Sequence, residues 1–222
     1  MYGSDTFKTQ GKDLTITFIG HGTLMFTFGD LTIHLDPTSM FGDYSILPKA
    51  DLILVTHEHF DHLDVEVIKV LRKESTVVVG NQACVEQVPD CIVMKNGEEK
   101  NVIGLKVEAV PAYNIEHMRS PGNPFHPKGV GNGYVITFDG LRVYVGGDTE
   151  NIPEMKDLED IDIAFLPMNL PYTMTPEMVV DSVGMFAPKI LYPYHYGETD
   201  TSQLAAMLEG SEEIEVRIRD LQ

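Results

Sequence analysis

The sequence is short of basic residues and nearly without cysteine. Only 16 Lys and Arg oppose 34 Asp and Glu, the formal net charge is −18, and no basic cluster occurs. Nucleic acids and anionic membrane surfaces are bound mainly through Lys and Arg, so we expect neither as a partner. The two cysteines, Cys84 and Cys91, fit no common zinc or redox spacing, and we expect both to be buried and reduced.

Long apolar runs are also absent. No segment is long and apolar enough to span a bilayer, and the polar residues 1–11 do not resemble a signal peptide, so we expect a cytoplasmic protein. The 222 residues, 43% of them hydrophobic, can bury a sizeable core. Since no repeat or linker interrupts them, we predict one domain over 1–222. The oligomeric state stays open, and a homo-oligomer is compatible with the sequence.

Hydrophobic patterning predicts short strands and a few helices in both halves of the chain. The predicted strands are 14–19, 24–28, 31–35, 51–56, 76–79, 102–111, 134–138, 141–145, 161–166, 190–194 and 214–218. Helices are predicted over 64–73, 176–187 and 202–208, with Asp64 and Thr175 as N-caps of the first two. This order predicts an α/β protein in which two sheets face each other and helices lie outside.

The segment 56–62, Thr-His-Glu-His-Phe-Asp-His, is the strongest functional signal. It follows a strand predicted to be buried and contains His57, His59, Asp61 and His62. Side chains two residues apart in extended chain project the same way, so His57 and His59 can reach one metal ion while Asp61 and His62 face a neighbouring position. Imidazole and carboxylate ligands suit zinc, manganese or iron(II). The cluster therefore predicts a metal site.

Two further candidates stand at the ends of predicted strands. Asp148 follows the strand 141–145 and two glycines, which permit a close-packed turn. His195 comes directly after the strand 190–194. Either residue alone would be interpreted as an ordinary turn or core residue, and both become ligand candidates only as part of a larger pattern.

That larger pattern resembles the metallo-β-lactamase superfamily. The similar segments are Phe18-Ile19-Gly20-His21-Gly22-Thr23, Leu35-Asp36-Pro37, the 57–62 cluster, Tyr144-Val145-Gly146-Gly147-Asp148-Thr149 and Tyr192-Pro193-Tyr194-His195-Tyr196. The first two segments resemble the branch that includes ascorbate-phosphate lactonases and the N-acylphosphatidylethanolamine phospholipase D. The resemblance implies a four-layer αββα sandwich with the site at one edge, between the two sheets.

The resemblance also implies roles for the six candidate ligands. They would divide between two metal ions as follows: His57 and His59 on the first, Asp61, His62 and His195 on the second, and Asp148 bridging both. Zinc is the first expectation for these two divalent ions, with manganese or iron as alternatives. A water between them would become the nucleophile near neutral pH, and Asp61 and Asp148 are the expected catalytic residues. The implied reaction is hydrolysis of an ester, lactone or phosphodiester of a small soluble substrate.

The chain departs from the family pattern after the strand 102–111. Relatives commonly place a histidine ligand of the first metal ion there, whereas Asn114 stands near that position in this sequence. Asparagine oxygen suits harder ions than zinc. We therefore expect uneven metal binding, unless His126 or, less favoured, His117 replaces the missing ligand.

Four residues are expected to contact the substrate or to support the ligands: His21, Asn114, His126 and Lys128. His21 lies in a glycine-flanked turn that packs near the metals in relatives, and Lys128 is the only lysine in the long loop 114–133. We consider Lys128 a candidate contact for an anionic substrate group. Tyr172 and Met174, just before the second predicted helix, are candidates to line the pocket.

Three other functions are weighed against hydrolysis. A di-iron oxidoreductase of this fold typically has glutamate where His59 stands, and a nuclease would need a basic surface or an added domain. A non-catalytic metal-binding module would usually have lost several ligands, whereas one position, Asn114, departs from the pattern here. Hydrolysis is therefore the leading expectation.

Overall fold

The protein is built on two seven-stranded sheets and a separate two-stranded hairpin. The computed structural model describes residues 2–211 and 213–221. The first sheet contains, in spatial and chain order, β1 (Gly3–Lys8), β2 (Asp13–Gly20), β3 (Thr23–Phe28), β4 (Leu31–Leu35), β5 (Leu52–Leu54), β6 (Val77–Gly80) and β7 (Ile92–Val93). Strands β1 to β4 pair antiparallel, and β4 to β7 pair parallel. The sheet is therefore mixed.

The second sheet is also mixed. The strands of the second half of the chain are β8 (Glu99–Val102), β9 (Leu105–Ala112), β10 (Met118–Ser120), β11 (Asn123–Pro124), β12 (Gly131–Phe138), β13 (Leu141–Val145), β14 (Ile163–Pro167), β15 (Ile190–Tyr194) and β16 (Glu215–Val216). Their order in the sheet is β16-β15-β14-β13-β12-β9-β8, while β10 and β11 form the hairpin. Strands β13 to β16 are parallel.

In the described part of the chain, three α-helices cover the outer faces of the sheets: α1 (Val65–Leu71), α2 (Pro176–Phe186) and α3 (Thr201–Met207). The predicted N-caps are confirmed, since the side chain of Asp64 accepts from two backbone N–H groups of α1 and that of Thr175 accepts from one of α2. Helix α1 packs on the first sheet, and α2 and α3 pack on the second. The predicted four-layer αββα sandwich is confirmed.

Strand β5 explains why residues 52–55, within the predicted strand 51–56, are all apolar. Leu52 and Leu54 point into the core shared by the two sheets, whereas Ile53 and Val55 belong to the cluster under α1. A strand buried on both faces needs apolar residues at successive positions. This central strand leads directly into the 56–62 cluster, so the cluster begins from a rigid, fully buried position.

The sequence pattern missed the short or polar strands β1, β7, β10 and β11, and β8 apart from Val102. Strand β1 is largely exposed and pairs only with β2, and the hairpin β10-β11 is exposed as well. Because these exposed strands are held by backbone hydrogen bonds and bury few side chains, their sequences show no alternation of hydrophobic residues. The last strand is shorter than predicted, covering Glu215–Val216 rather than 214–218. Cys84 and Cys91 are both free and buried, as predicted.

The sheet topology concentrates strand ends at one edge of the sandwich. Because β4 and β5 are parallel, as are β13 to β15, the residues that follow their carboxyl ends come together. Asp36, His57, Asp148 and His195 all follow such strands within three residues. No helix among residues 2–211 and 213–221 is long and apolar enough to cross a membrane.

Candidate metal centre

Tight turns deliver several of the side chains to this edge. His21, Asp36 and His195 have positive φ angles of 53°, 47° and 45°, which are uncommon for residues other than glycine. Backbone hydrogen bonds hold these turns, since His195 N donates to His21 O at 3.0 Å and His21 N donates to Leu221 O at 2.9 Å. Strained backbone that is held in this way is concentrated at functional sites.

A first group of donor atoms surrounds the open end of the cluster. His57 Nε2 lies 3.1 Å from His59 Nδ1, so the two imidazoles do project the same way. His126 joins them from the loop before β12, and these three residues form one possible metal-binding group. Oδ2 of Asp148 lies 3.1 Å from His126 Nε2 and 3.8 Å from His57 Nε2.

A second group lies on the other side of the Asp148 carboxylate. Oδ1 of Asp148 is 3.3 Å from His62 Nε2 and 3.4 Å from His195 Nε2. Oδ2 of Asp61 is 3.6 Å from His195 Nε2 and 3.9 Å from His62 Nε2. His21 Nε2 lies 3.7 Å from the same oxygen, so His21 also offers a donor atom here. The two oxygens of Asp148 thus face two separate groups.

The spacing of these atoms fits metal coordination. Ligands at 2.0–2.2 Å from a tetrahedral ion lie about 3.3–3.6 Å from one another, close to the separations measured here. Seven buried side-chain atoms of the described residues have no hydrogen-bond partner, and four of them belong to this centre: His62 Nε2, Asp148 Oδ1 and both ring nitrogens of His195. Buried polar atoms are normally paired. These unpaired atoms belong to the second group, and their separations fit the coordination of a divalent ion there.

The electrostatics point the same way. Burial alone would raise the pKa of Asp148, but the imidazoles of His195 and His62 hold it well below its usual value. Burial would lower the pKa of His62, but the carboxylates of Asp148 and Asp36 raise it well above its usual value. Burial, with the neighbouring His62, lowers the pKa of His57 well below its usual value. The Asp148 carboxylate is therefore ionised, and His62, which lies between Asp148 and Asp36, attracts positive charge, as a proton or as a metal ion.

Asp36 fixes the orientation of His62. It is fully buried, and its Oδ2 accepts from His62 Nδ1 at 2.8 Å and from Thr56 Oγ1 at 2.6 Å. Its Oδ1 accepts from Thr56 N at 2.7 Å. A carboxylate that holds the outer nitrogen of a histidine directs the inner nitrogen towards a metal. In the sequence, Asp36 stands out only within the segment Leu35-Asp36-Pro37; the signal for its role is its place directly after β4, the parallel neighbour of the strand that leads to His57.

Asn114 supports His126 rather than reaching the centre itself. Its Oδ1 accepts from both the backbone N and Nδ1 of His126, each at 2.8 Å. Its Nδ2 donates to Glu150 Oε1 at 2.9 Å and to Tyr172 O at 2.8 Å. With Nδ1 donating to Asn114, His126 presents Nε2 to the first donor group. His126 therefore brings to the first group the histidine that this chain lacks at position 114, while His117 instead bonds to Glu150 through Nδ1 at 2.8 Å.

Two further expectations need correction. Lys128 does not line the cavity over the centre, because its ammonium is held 2.6 Å from Glu154 Oε1 and 3.1 Å from the Tyr113 hydroxyl. Met174 is fully buried under the second helix layer, whereas Tyr172 does line the cavity. Glu150 was not anticipated at all. It is fully buried and accepts three successive backbone N–H groups of residues 115–117.

An open cavity of about 570 Å³ lies over the centre. Its lining combines the residues of the centre (His21, His59, Asp61, His126, Asp148 and His195) with apolar side chains (Met40, Phe41, Phe60, Phe125 and Tyr172) and with Glu58, Arg119 and Asn169. Phe60 and Met40 are 73% and 57% exposed at the mouth. The cavity can therefore take a small substrate with an apolar part.

Comparison with known proteins shows similarity over nearly the whole chain. The family described as β-lactamase superfamily domain matches residues 15–195. A crystal structure of a candidate metal-dependent hydrolase from Parabacteroides distasonis has 52% sequence identity and a TM-score of 0.95, with 100% of each chain covered. A UPF0173 metal-dependent hydrolase from Methanoculleus marisnigri is 30% identical, covering 91% of this chain and 97% of the relative. Another from Pelotomaculum thermopropionicum is 28% identical, covering 92% and 96%.

Proposed function

The chain belongs to the metallo-β-lactamase superfamily and, within it, to the UPF0173 family of metal-dependent hydrolases, and on this premise we propose that it hydrolyses an ester, lactone or phosphodiester bond of a small substrate at a centre for two divalent metal ions. The observation that carries the proposal is the position of Asp148 between two groups of imidazole nitrogens, His57 and His126 on one side and the unpaired nitrogens of His62 and His195 on the other. The nitrogen-rich donor set favours zinc, with manganese or iron as alternatives.

The proposed ligands divide between the two ions. The first site would use His57, His59 and His126, the second would use Asp61, His62 and His195, and Asp148 would contribute one oxygen to each. Relatives commonly have a third histidine ligand for the first ion where this chain has Asn114. In this chain His126 would supply that third histidine. His21 is a further donor beside Asp61, and we propose that it serves the substrate or the second ion.

Two divalent ions would lower the pKa of a bound water to near 7 and polarise the bond under attack. The Asp61 side chain, 20% exposed and facing the cavity, would accept a hydrogen bond from that water and hold it towards the substrate. Hydrolysis adds one water across the cleaved bond, so the leaving oxygen must receive a proton, and Asp61 and His21 are the residues placed to handle that proton. His21, whose ring stacks on Phe41 at 4.3 Å, would offer an N–H to the leaving group.

Metal counting on an Asp148→Ala variant tests the proposal. We expect close to two equivalents of metal by plasma mass spectrometry in the wild type, and loss of metal together with hydrolysis of esters, lactones or phosphodiesters in the variant. Asp162→Ala is the matched control, because Asp162 pairs with Lys189 and precedes the amino end of β14, whereas the centre lies beyond the carboxyl ends of the neighbouring strands β13 and β15. Two equivalents retained by Asp148→Ala, or metal bound without any of these hydrolytic activities, would contradict it. Two irons with a visible absorption band would favour oxidoreduction instead.

A further inference from the structure

Arg119 is an unpaired cation in the wall of the cavity. It lies on β10, within the hairpin that borders the site, and it lines the cavity together with the metal-centre residues. Among the described residues, the other arginines, Arg72, Arg142, Arg217 and Arg219, all bind carboxylates, whereas Arg119 makes neither a salt bridge nor a hydrogen bond. In a chain with a net charge of −18, an arginine side chain that forms no salt bridge with a carboxylate is unusual.

The guanidinium of Arg119 is oriented by an aromatic ring. Its Cζ lies 5.6 Å from the centroid of Phe125, within cation–π range. Phe125 is itself held by an edge contact with Tyr172 at 5.0 Å between ring centroids, and it immediately precedes His126. No side chain of the described residues bonds to the N–H groups of this guanidinium, and a free guanidinium edge matches the two oxygens of a carboxylate or phosphate.

We infer that Arg119 determines specificity by binding a carboxylate or phosphate group of the substrate that is not the group being cleaved. The apolar side chains of Met40, Phe41 and Phe60 in the cavity lining would receive the body of the same molecule. The inference rests on the proposed function, since it names the class of substrate for that site. It moves the anion-binding role from Lys128, which Glu154 neutralises, to Arg119.

A matched pair of chromogenic esters tests the inference on the metal-loaded protein. Mono-4-nitrophenyl glutarate and 4-nitrophenyl valerate have acyl chains of equal length and differ in a terminal carboxylate. We expect kcat/KM to favour the glutarate ester by about tenfold, because a charge-assisted bidentate contact at an exposed arginine has roughly that effect. Arg119→Met, which keeps an apolar stem against Phe125, should reduce the preference about tenfold. Lys128→Met, the matched control in the same loop, should leave it unchanged.

A binding measurement separates this inference from the proposed function. The dissociation constants of monomethyl glutarate and neutral dimethyl glutarate are compared by NMR titration, with and without bound metal. If neither ester is cleaved but the monoanion binds about tenfold more weakly to Arg119→Met, the inference stands and ester hydrolysis fails. If the wild type shows no preference for the anion, or Arg119→Met keeps it, the inference is overturned whether or not the esters are cleaved.

Discussion

Replacing Asn114 by alanine tests how the centre obtains a third histidine for its first ion. In the structure, the buried amide of Asn114 makes four side-chain hydrogen bonds, two of them accepted from His126. Alanine would leave the backbone N–H and Nδ1–H of His126 and the carbonyl of Tyr172 without their partner. Glu150 would lose one of the five hydrogen bonds that its carboxylate accepts.

These losses give two separate magnitudes. An unpaired buried donor or acceptor costs about 1–3 kcal/mol, and partial relaxation or water entry reduces that cost, so we expect the free energy of unfolding to fall by about 3 kcal/mol. Removing the partner that orients a metal-bound histidine typically weakens metal binding 10–100-fold, or about 1.4–2.8 kcal/mol. The loss should affect one of two metal equivalents, because Asn114 contacts His126 and none of the proposed ligands of the second site.

Zinc titration in competition with a chelator measures the two affinities, and urea unfolding of the metal-free protein measures the stability. His117→Ala is the matched control, because it removes one hydrogen bond to Glu150 from the same loop without touching His126. We expect the control to lose about 1 kcal/mol of stability and to bind both equivalents normally. If Asn114→Ala is destabilised but binds both equivalents with wild-type affinity, Asn114 does not position His126 for a metal, and the reasoning is refuted.

Three other substitutions give distinct readouts. Burial lowers the pKa of His34 to about 4, against about 6.5 in the unfolded chain, so its contribution to stability is present above about pH 6.5 and lost as the pH falls towards 4. Between about pH 6.5 and pH 4, the free energy of unfolding of His34→Gln should therefore fall by about 3 kcal/mol less than that of the wild type. Urea unfolding at these two pH values measures the difference, and an equal fall in both proteins would contradict the expectation. Asp36→Asn should weaken one metal equivalent 10–100-fold through His62, and chelator competition showing two wild-type affinities would exclude it. Tyr194→Phe removes the acceptor of Gly147 N at 2.8 Å and should lower the free energy of unfolding by about 1–2 kcal/mol, a value that urea unfolding can test.

The sequence alone indicated the fold and the ends of the strands on which the site is built. Period-two patterns and fully apolar runs carry that information, because a strand with one or two buried faces must place apolar residues accordingly. The 57–62 cluster was recognisable because its donors are neighbours in the chain. Asp148 and His195 became candidates through the resemblance, since a single aspartate or histidine after a strand has no chemical signature of its own.

Only the tertiary structure decided which distant residues meet. His126 faces His57 and His59 from a loop more than sixty residues later, and the hydrogen bonds from Glu150 through Asn114 that orient it join three segments with no shared pattern. Lys128 and Arg119 look equivalent in the sequence, as two cations in one loop. In the folded protein Lys128 forms a salt bridge with Glu154, whereas Arg119 lines the cavity. The chain's pattern of apolar residues specifies where strands end, but the pairing of polar side chains depends on the positions that packing brings together in space.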